Sequence, residues 1–211
     1  MTVVLEGVDG VALFQKNEKS HFTYSDYLSW PDEERWELID GVPYNITPAP
    51  SLIHQRILGQ FYRRFADHLE GKTCEAFLAP FDVRLPKGDE SDEKTDTVVQ
   101  PDLTVICDPS KLDEKGCRGV PDLIVEVLSP FTAHKDMKTK RYLYEKVGVK
   151  EYWIILPSER SVMVFSLQEN GLYSPYEVYS NNDTIEVRIS DPFTIDLASI
   201  FAAPHQVQPE Q

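Results

Sequence analysis

The chain has 211 residues, 41% of them hydrophobic, which suits one domain with a real core and excludes a disordered chain. Its 21 lysines and arginines stand against 35 acids, for a net charge of −14, which argues against indiscriminate nucleic-acid binding, a process driven by phosphate neutralisation. No stretch approaches the roughly 20 apolar residues of a membrane span, and the N-terminus lacks the basic and apolar regions of a secretory signal.

Residues 1–22 read as an N-terminal arm, 23–203 as a single domain, and 204–211, rich in Pro and Gln, as a flexible tail. Thr23 to Leu28 reads as a short helix, with Thr23 as N-cap and Asp26 three positions later. Trp36–Ile39, Asp40-Gly41 and Val42–Ile46 read as a β-hairpin, because Asp-Gly favours a tight primed turn. Ser51 then caps a long amphipathic helix in which Ile57, Leu58, Phe61, Phe65 and Leu69 recur at helical spacing, and Gly71 stops it. Cys74–Leu78 and Phe81–Leu85 read as strands, and the acidic segment 87–96 as a solvated loop. Val98–Cys107, Asp122–Ser129 and Glu151–Leu156 read as further strands. A helix at about 132–147, ended by Gly148, predicts a crossover between parallel strands. Residues 161–190 alternate and read as antiparallel strands. Cys74, Cys107 and Cys117 are odd in number and lack Cys-X-X-Cys spacing, which argues against a disulfide framework and a cysteine zinc site and fits a reducing cytoplasm. Cys117 follows Gly116 in a polar stretch, and nothing nearby marks it as a nucleophile.

Three features carry chemistry. In Asp122–Ser129 almost every position is apolar, as in a strand covered on both faces, and Glu126 interrupts it on the face of Ile124 and Leu128. A buried carboxylate must be paired, protonated or metal-bound, so Glu126 is a ligand, a buried ion-pair partner or an end-of-strand residue reaching solvent. In Gln100-Pro101-Asp102, an acid opens another apolar strand. Two neighbouring strands that each present a carboxylate suit a hard cation such as Mg²⁺ or Mn²⁺. In the following helix Met137, Lys140, Tyr144 and Val147 share one face. Lys140 therefore either enters a polar site, extends along apolar surface to water, or pairs with Asp136 four residues earlier.

These segments resemble the PD-(D/E)XK nuclease superfamily. Glu37–Gly41, His54, Phe81–Arg84, Gln100–Asp102, Asp122–Pro130, Asp136 with Lys140, and Gly148–Trp153 resemble, in order and spacing, a bacterial restriction-endonuclease-like family. The resemblance implies an α/β restriction-endonuclease-like core, with a mixed central β-sheet flanked by helices and extra antiparallel strands. It also implies a Mg²⁺- or Mn²⁺-dependent endonuclease acting on nucleic acid, DNA before RNA, working as a homodimer. Asp102 and Glu126 would be the metal ligands and Lys140 the catalytic lysine, moved to the helix because Leu128 stands where the superfamily has its lysine. Lys138, off the apolar face, is the weaker choice. Glu37 is either a further catalytic acid or a solvated hairpin charge, and His54 either a phosphate contact or a helix-surface residue. Lys135, Lys138, Lys140, Arg141, Lys146 and Lys150 outnumber Asp136 and Glu145 over 134–150, and Arg56, Arg63 and Arg64 lie on the earlier helix. Those two helices would form a basic rim if they flank the site, or else are ordinary charged faces. A nuclease-fold module that binds nucleic acid or a protein without cutting is the alternative. No Gly-X-Ser-X-Gly, His-Glu-X-X-His or Gly-rich phosphate loop is present.

Overall fold

The computed structural model describes residues 4–6, 12–14, 20–31, 34–46, 49–130, 132–189 and 191–202. Within the N-terminal arm, β1 (Val4–Glu6) and β2 (Ala12–Phe14) pair antiparallel. The tail expected over 204–211 lies outside the described residues.

Local chemistry sets the first elements. Asp26 accepts from the Thr23 backbone at 2.8 Å and starts α1 (Tyr24–Tyr27). Asp40 and Gly41 take φ values of 46° and 76°, so β3 (Trp36–Ile39) turns tightly into β4 (Val42–Asn45). Ser51 accepts from the His54 amide and caps α2 (Leu52–Leu69). The α2 residues Ile57, Leu58, Phe61, Phe65 and Leu69 are all buried, as their spacing predicts.

The strands that follow are β5 (Glu75–Leu78), β6 (Val83–Arg84), β7 (Val98–Val99), β8 (Leu103–Ile106), β9 (Leu112–Asp113), β10 (Gly116–Arg118) and β11 (Leu123–Val127). A π-helical segment (Lys135–Lys140) runs into α3 (Arg141–Val147). Then come β12 (Glu151–Leu156), β13 (Ser161–Ser166), β14 (Glu177–Ser180), β15 (Thr184–Val187), β16 (Phe193–Asp196) and α4 (Leu197–Phe201).

The central sheet has the order β14-β13-β12-β11-β8-β5. Its β11–β12 pair is parallel and its other pairs are antiparallel, so the helical crossover falls where the sequence places it. A second sheet has the order β4-β3-β7-β6-β10-β9. Alternation along β11 feeds two cores. Leu123, Val125 and Val127 pack with α2, α4, β15 and β16. Ile124, on the opposite face, packs with Leu143 and Tyr144 of α3 and with Ile39, Val83 and Val99 of the second sheet. Phe61 and Phe65 both meet Trp153, with centroids 6.2 and 5.9 Å apart. Truncating either to Ala would cost about 3–5 kcal/mol.

Several expectations need correction. The apolar run Val98–Cys107 is not one strand: it breaks at Gln100-Pro101-Asp102, and its halves join different sheets. Pro101 has no N–H to give a ladder, and the break delivers Asp102 to the start of β8, beside β11. The acidic loop is only partly solvated, because Asp92 takes two hydrogen bonds from fully buried Arg84 and Asp96 is itself buried. Cys74 and Cys107 form a disulfide across a sequence separation of 33. They flank the antiparallel pair Glu75↔Ile106, a juxtaposition made by strand register and invisible to spacing. Cys117 is buried in β10, and burial pushes its thiol up to about 12, which leaves it inert. Met137, expected on the buried helix face, is 42% exposed, because the helix is π-wound there.

Candidate active site

The site forms where β8, β11 and the π-helical segment meet, beside the first turn of α2 and the strand β3. Glu126 lies on the β11 face shared with Ile124, 4% exposed. Asp102 stands one residue before β8, and its Oδ2 accepts from the Val127 amide at 2.8 Å and from His54 Nε2 at 3.0 Å. The Asp102 amide points at Glu126 Oε2, 3.4 Å away. The two expected ligands are therefore neighbours.

Lys140 reaches the same point from the helix. Its Nζ lies 2.7 Å from Glu126 Oε1, 2.7 Å from Glu37 Oε1 and 3.9 Å from Asp136 Oδ1. The Tyr144 hydroxyl donates to Glu126 Oε1 at 3.3 Å. Glu37 is fully buried rather than a solvated hairpin charge. It accepts from the Gln100 amide at 3.0 Å on Oε1 and from Lys135 Nζ at 2.8 Å on Oε2. Both its oxygens are thus taken, which makes it the anchor of two lysines. Asp102, Glu126, Lys140, Glu37 and His54 all line one cleft of about 260 Å³. Lys138 is exposed and is not among the lining residues.

His54 is buried rather than on the helix surface. Its Nδ1 has no hydrogen-bond partner among the described residues, so the ring is held through Nε2 alone, against Asp102. Sequence reasoning makes Asp136 the helix ion-pair partner of Lys140 and Lys135 a rim charge, but places neither in the site. Asp136 is buried in the cleft, with its pair to Lys140 at 3.9 Å, and Lys135 lines the cleft with it. In an α-helix, positions 135 and 140 would diverge by about 140°. In the π-helix, whose hydrogen bonds span five residues, they turn back toward one side, and both lysines reach Glu37. No spacing rule built on 3.6 residues finds this pairing.

Electrostatics follow from burial. Burial raises the Glu37 carboxyl, but the Lys140 and Lys135 ammoniums outweigh it and hold it at about 2. Burial pushes Glu126 well upward despite Lys140, and the negative charges of Asp136, Asp102 and Glu37 add to the push. Burial also raises Asp136, against the opposing pull of Lys140. Burial lowers Lys140, yet Glu126, Glu37 and Asp136 together raise it well above its ordinary value. Four carboxyl groups (Glu37, Asp102, Glu126, Asp136) face two ammoniums (Lys135, Lys140) and the Arg35 guanidinium, an excess of one negative charge when all are ionised.

The donor set fits a divalent cation. Asp102 Oδ1 carries no hydrogen bond among the described residues, and Glu126 Oε2 carries only the long one from Asp102. No three His, Cys, Asp or Glu side chains converge into a chelate among the described residues. Two carboxylates would leave the remaining positions to water and substrate oxygen, a sharing that Mg²⁺ accepts.

Fold and site together define a restriction-endonuclease-like protein of the PD-(D/E)XK kind, with a mixed sheet whose neighbouring strands carry the two acids. Residues 24–198 match the family model of Uma2, described as "putative restriction endonuclease", and the chain belongs to that family. "Uncharacterized protein slr1290" of Synechocystis sp. is 26% identical over 178 residues, which are 82% of this chain and 88% of that protein. The crystal structure of "a putative nuclease belonging to DUF820" from Anabaena variabilis superposes with a TM-score of 0.68 at 20% identity, over 85% of this chain and 97% of that one. At that identity the likeness is one of fold. No helix among the described residues is long and apolar enough to cross a membrane.

Proposed function

We propose that this protein is a Mg²⁺- or Mn²⁺-dependent endonuclease that hydrolyses phosphodiesters of DNA. The observation that carries the proposal is the meeting of Asp102, Glu126 and Lys140 in one cleft from three separate elements. Asp102 and Glu126 would hold the cation. When bound, it supplies polarisation of a phosphate oxygen and a more acidic bound water.

The chain's own groups do the rest. Lys140 stays protonated between Glu126 and Glu37, so it acts as a fixed cation and hydrogen-bond donor rather than as a general base. It orients the attacking water and offsets the charge that develops on the phosphate. Glu37 positions it by fixing Lys140 and Lys135 together. His54 and the Val127 amide hold the Asp102 carboxylate to the cleft. Leu128 leaves the usual lysine position apolar, and Lys140 supplies the ammonium from the helix instead.

One observation favours the second reading, a module that binds without cutting: Lys140 is already satisfied by two carboxylates. Incubation with supercoiled plasmid, linear duplex, single-stranded DNA and RNA, in Mg²⁺, Mn²⁺ or EDTA, separates the two. Cleavage of DNA that needs the metal and disappears in both Asp102→Ala and Glu126→Ala supports the nuclease. No cleavage of any substrate by folded protein would leave the binding module. Cleavage that survives both substitutions would place the chemistry elsewhere.

A further inference from the structure

Most of the basic rim expected from two helices is already paired. Lys135 and Lys140 are consumed by Glu37 and Glu126, and Lys150 pairs with Asp122 at 2.6 Å. Arg63 pairs with Asp67, and Arg64 donates to Ser199. Arg56 is the exception on α2: it is exposed, with no carboxylate in ion-pair range among the described residues. It lines a second groove, of about 540 Å³, between α2, α4 and the β12–β13 turn.

Across that groove stands Arg160. It is exposed, and its guanidinium donates to the Phe201 carbonyl at 2.9 Å, so its charge is oriented but not neutralised. No acid lines the groove, on a chain of net charge −14. Its floor is apolar, with Ile57, Ile200 and Phe201, and Gln55 and Gln60 stand beside Arg56. Ile53 and Pro157 line both this groove and the catalytic cleft, so the two adjoin. Ile53 is 51% exposed at the junction.

We propose that this groove carries a single strand of nucleic acid into or away from the catalytic cleft, a substrate class that rests on the nuclease reading. Arg56 and Arg160 hold phosphates flanking the scissile one, and unstacked bases lie on the apolar floor. An intact duplex keeps its bases stacked inward and offers this floor only phosphates, so the apolar lining selects a single or locally opened strand.

The test measures binding in EDTA, where the proposed cleavage cannot occur, using a short fluorescein-labelled single-stranded DNA and its blunt duplex. Anisotropy titrations across a range of salt concentrations would compare wild type with Arg56→Ser, Arg160→Gly and their combination. Arg160 sits at φ 50°, where glycine is at ease, so Arg160→Gly removes the charge without straining the turn. Arg63→Ser removes an arginine from α2 away from the groove. The double variant is expected to bind the single strand about ten-fold more weakly, with a salt slope shallower by about 1.4, as the loss of two single-strand phosphate contacts requires. Arg63→Ser is expected to change neither. The proposal is overturned if wild type does not bind the strand, if the duplex binds as tightly, or if the groove variants lose no more than Arg63→Ser. Cleavage in metal is scored separately: a protein that binds the strand through this groove and never cuts loses the nuclease reading and keeps the groove.

Discussion

Glu37→Gln isolates the anchor of the site. The fully buried carboxylate sits at about 2 instead of its ordinary 4.5, because Lys140 and Lys135 outweigh the effect of burial. A displacement of that size corresponds to about 3 kcal/mol of folding stability at neutral pH. The sign follows from a depressed carboxyl: the contribution is complete above the ordinary value of 4.5 and is lost as pH falls toward about 2. Glutamine keeps an oxygen for the Gln100 amide and Lys140 but turns an amide nitrogen toward Lys135. The variant is therefore expected to lose about 3 kcal/mol, or about 6–12 °C in melting temperature for a chain of this size. Urea denaturation at neutral pH and at pH about 3 measures it, and the deficit should shrink to less than half at the lower pH. A deficit under about 1 kcal/mol at neutral pH, or one unchanged at pH about 3, would refute the account of Glu37 as a charge anchor.

Other outcomes follow from the same geometry. Lys140→Met should lower metal-dependent cleavage roughly 10²–10³-fold, the usual cost of losing one transition-state donor, while Lys138→Met, on the exposed face, should leave the rate unchanged in the same plasmid assay. Glu151 is raised by burial, with Trp153 Nε1 donating to it at 2.9 Å. A raised carboxyl costs stability once pH exceeds its ordinary 4.5, so Glu151→Gln should melt higher than wild type at neutral pH and lose that advantage as pH falls to that value. Reducing Cys74–Cys107, which closes a loop of 33 residues, should lower stability by about 3–4 kcal/mol on the chain-entropy account, read from urea midpoints with and without reductant.

Periodicity made much of the fold legible. The α2 stripe and the two-faced β11 run state their burial directly, and an acid inside or opening an apolar strand marks Glu126 and Asp102 as residues that need a partner. What stayed hidden depends on contacts between distant segments. Glu37 reads equally as a site acid and as a hairpin charge until Lys135 arrives from 98 residues away. The handover between two sheets at Pro101 hides inside a segment whose apolar residues on both sides read as one strand. The Cys74–Cys107 pair exists only through the register of β5 on β8. Arg56 is one cation among several on α2 until the neighbouring arginines find their partners and it does not.

The π-winding at Lys135–Lys140 inverts the ordinary ranking of mutational damage. A π turn holds one residue more than an α turn. Deleting exposed Met137 or Lys138 would let the segment relax to α geometry with its two flanking lysines four positions apart, again on one face. A substitution that favours α winding at unchanged length would instead swing Lys135 about 140° away from Lys140. Here a shortened chain preserves the paired ammoniums, and a helix-stabilising replacement separates them.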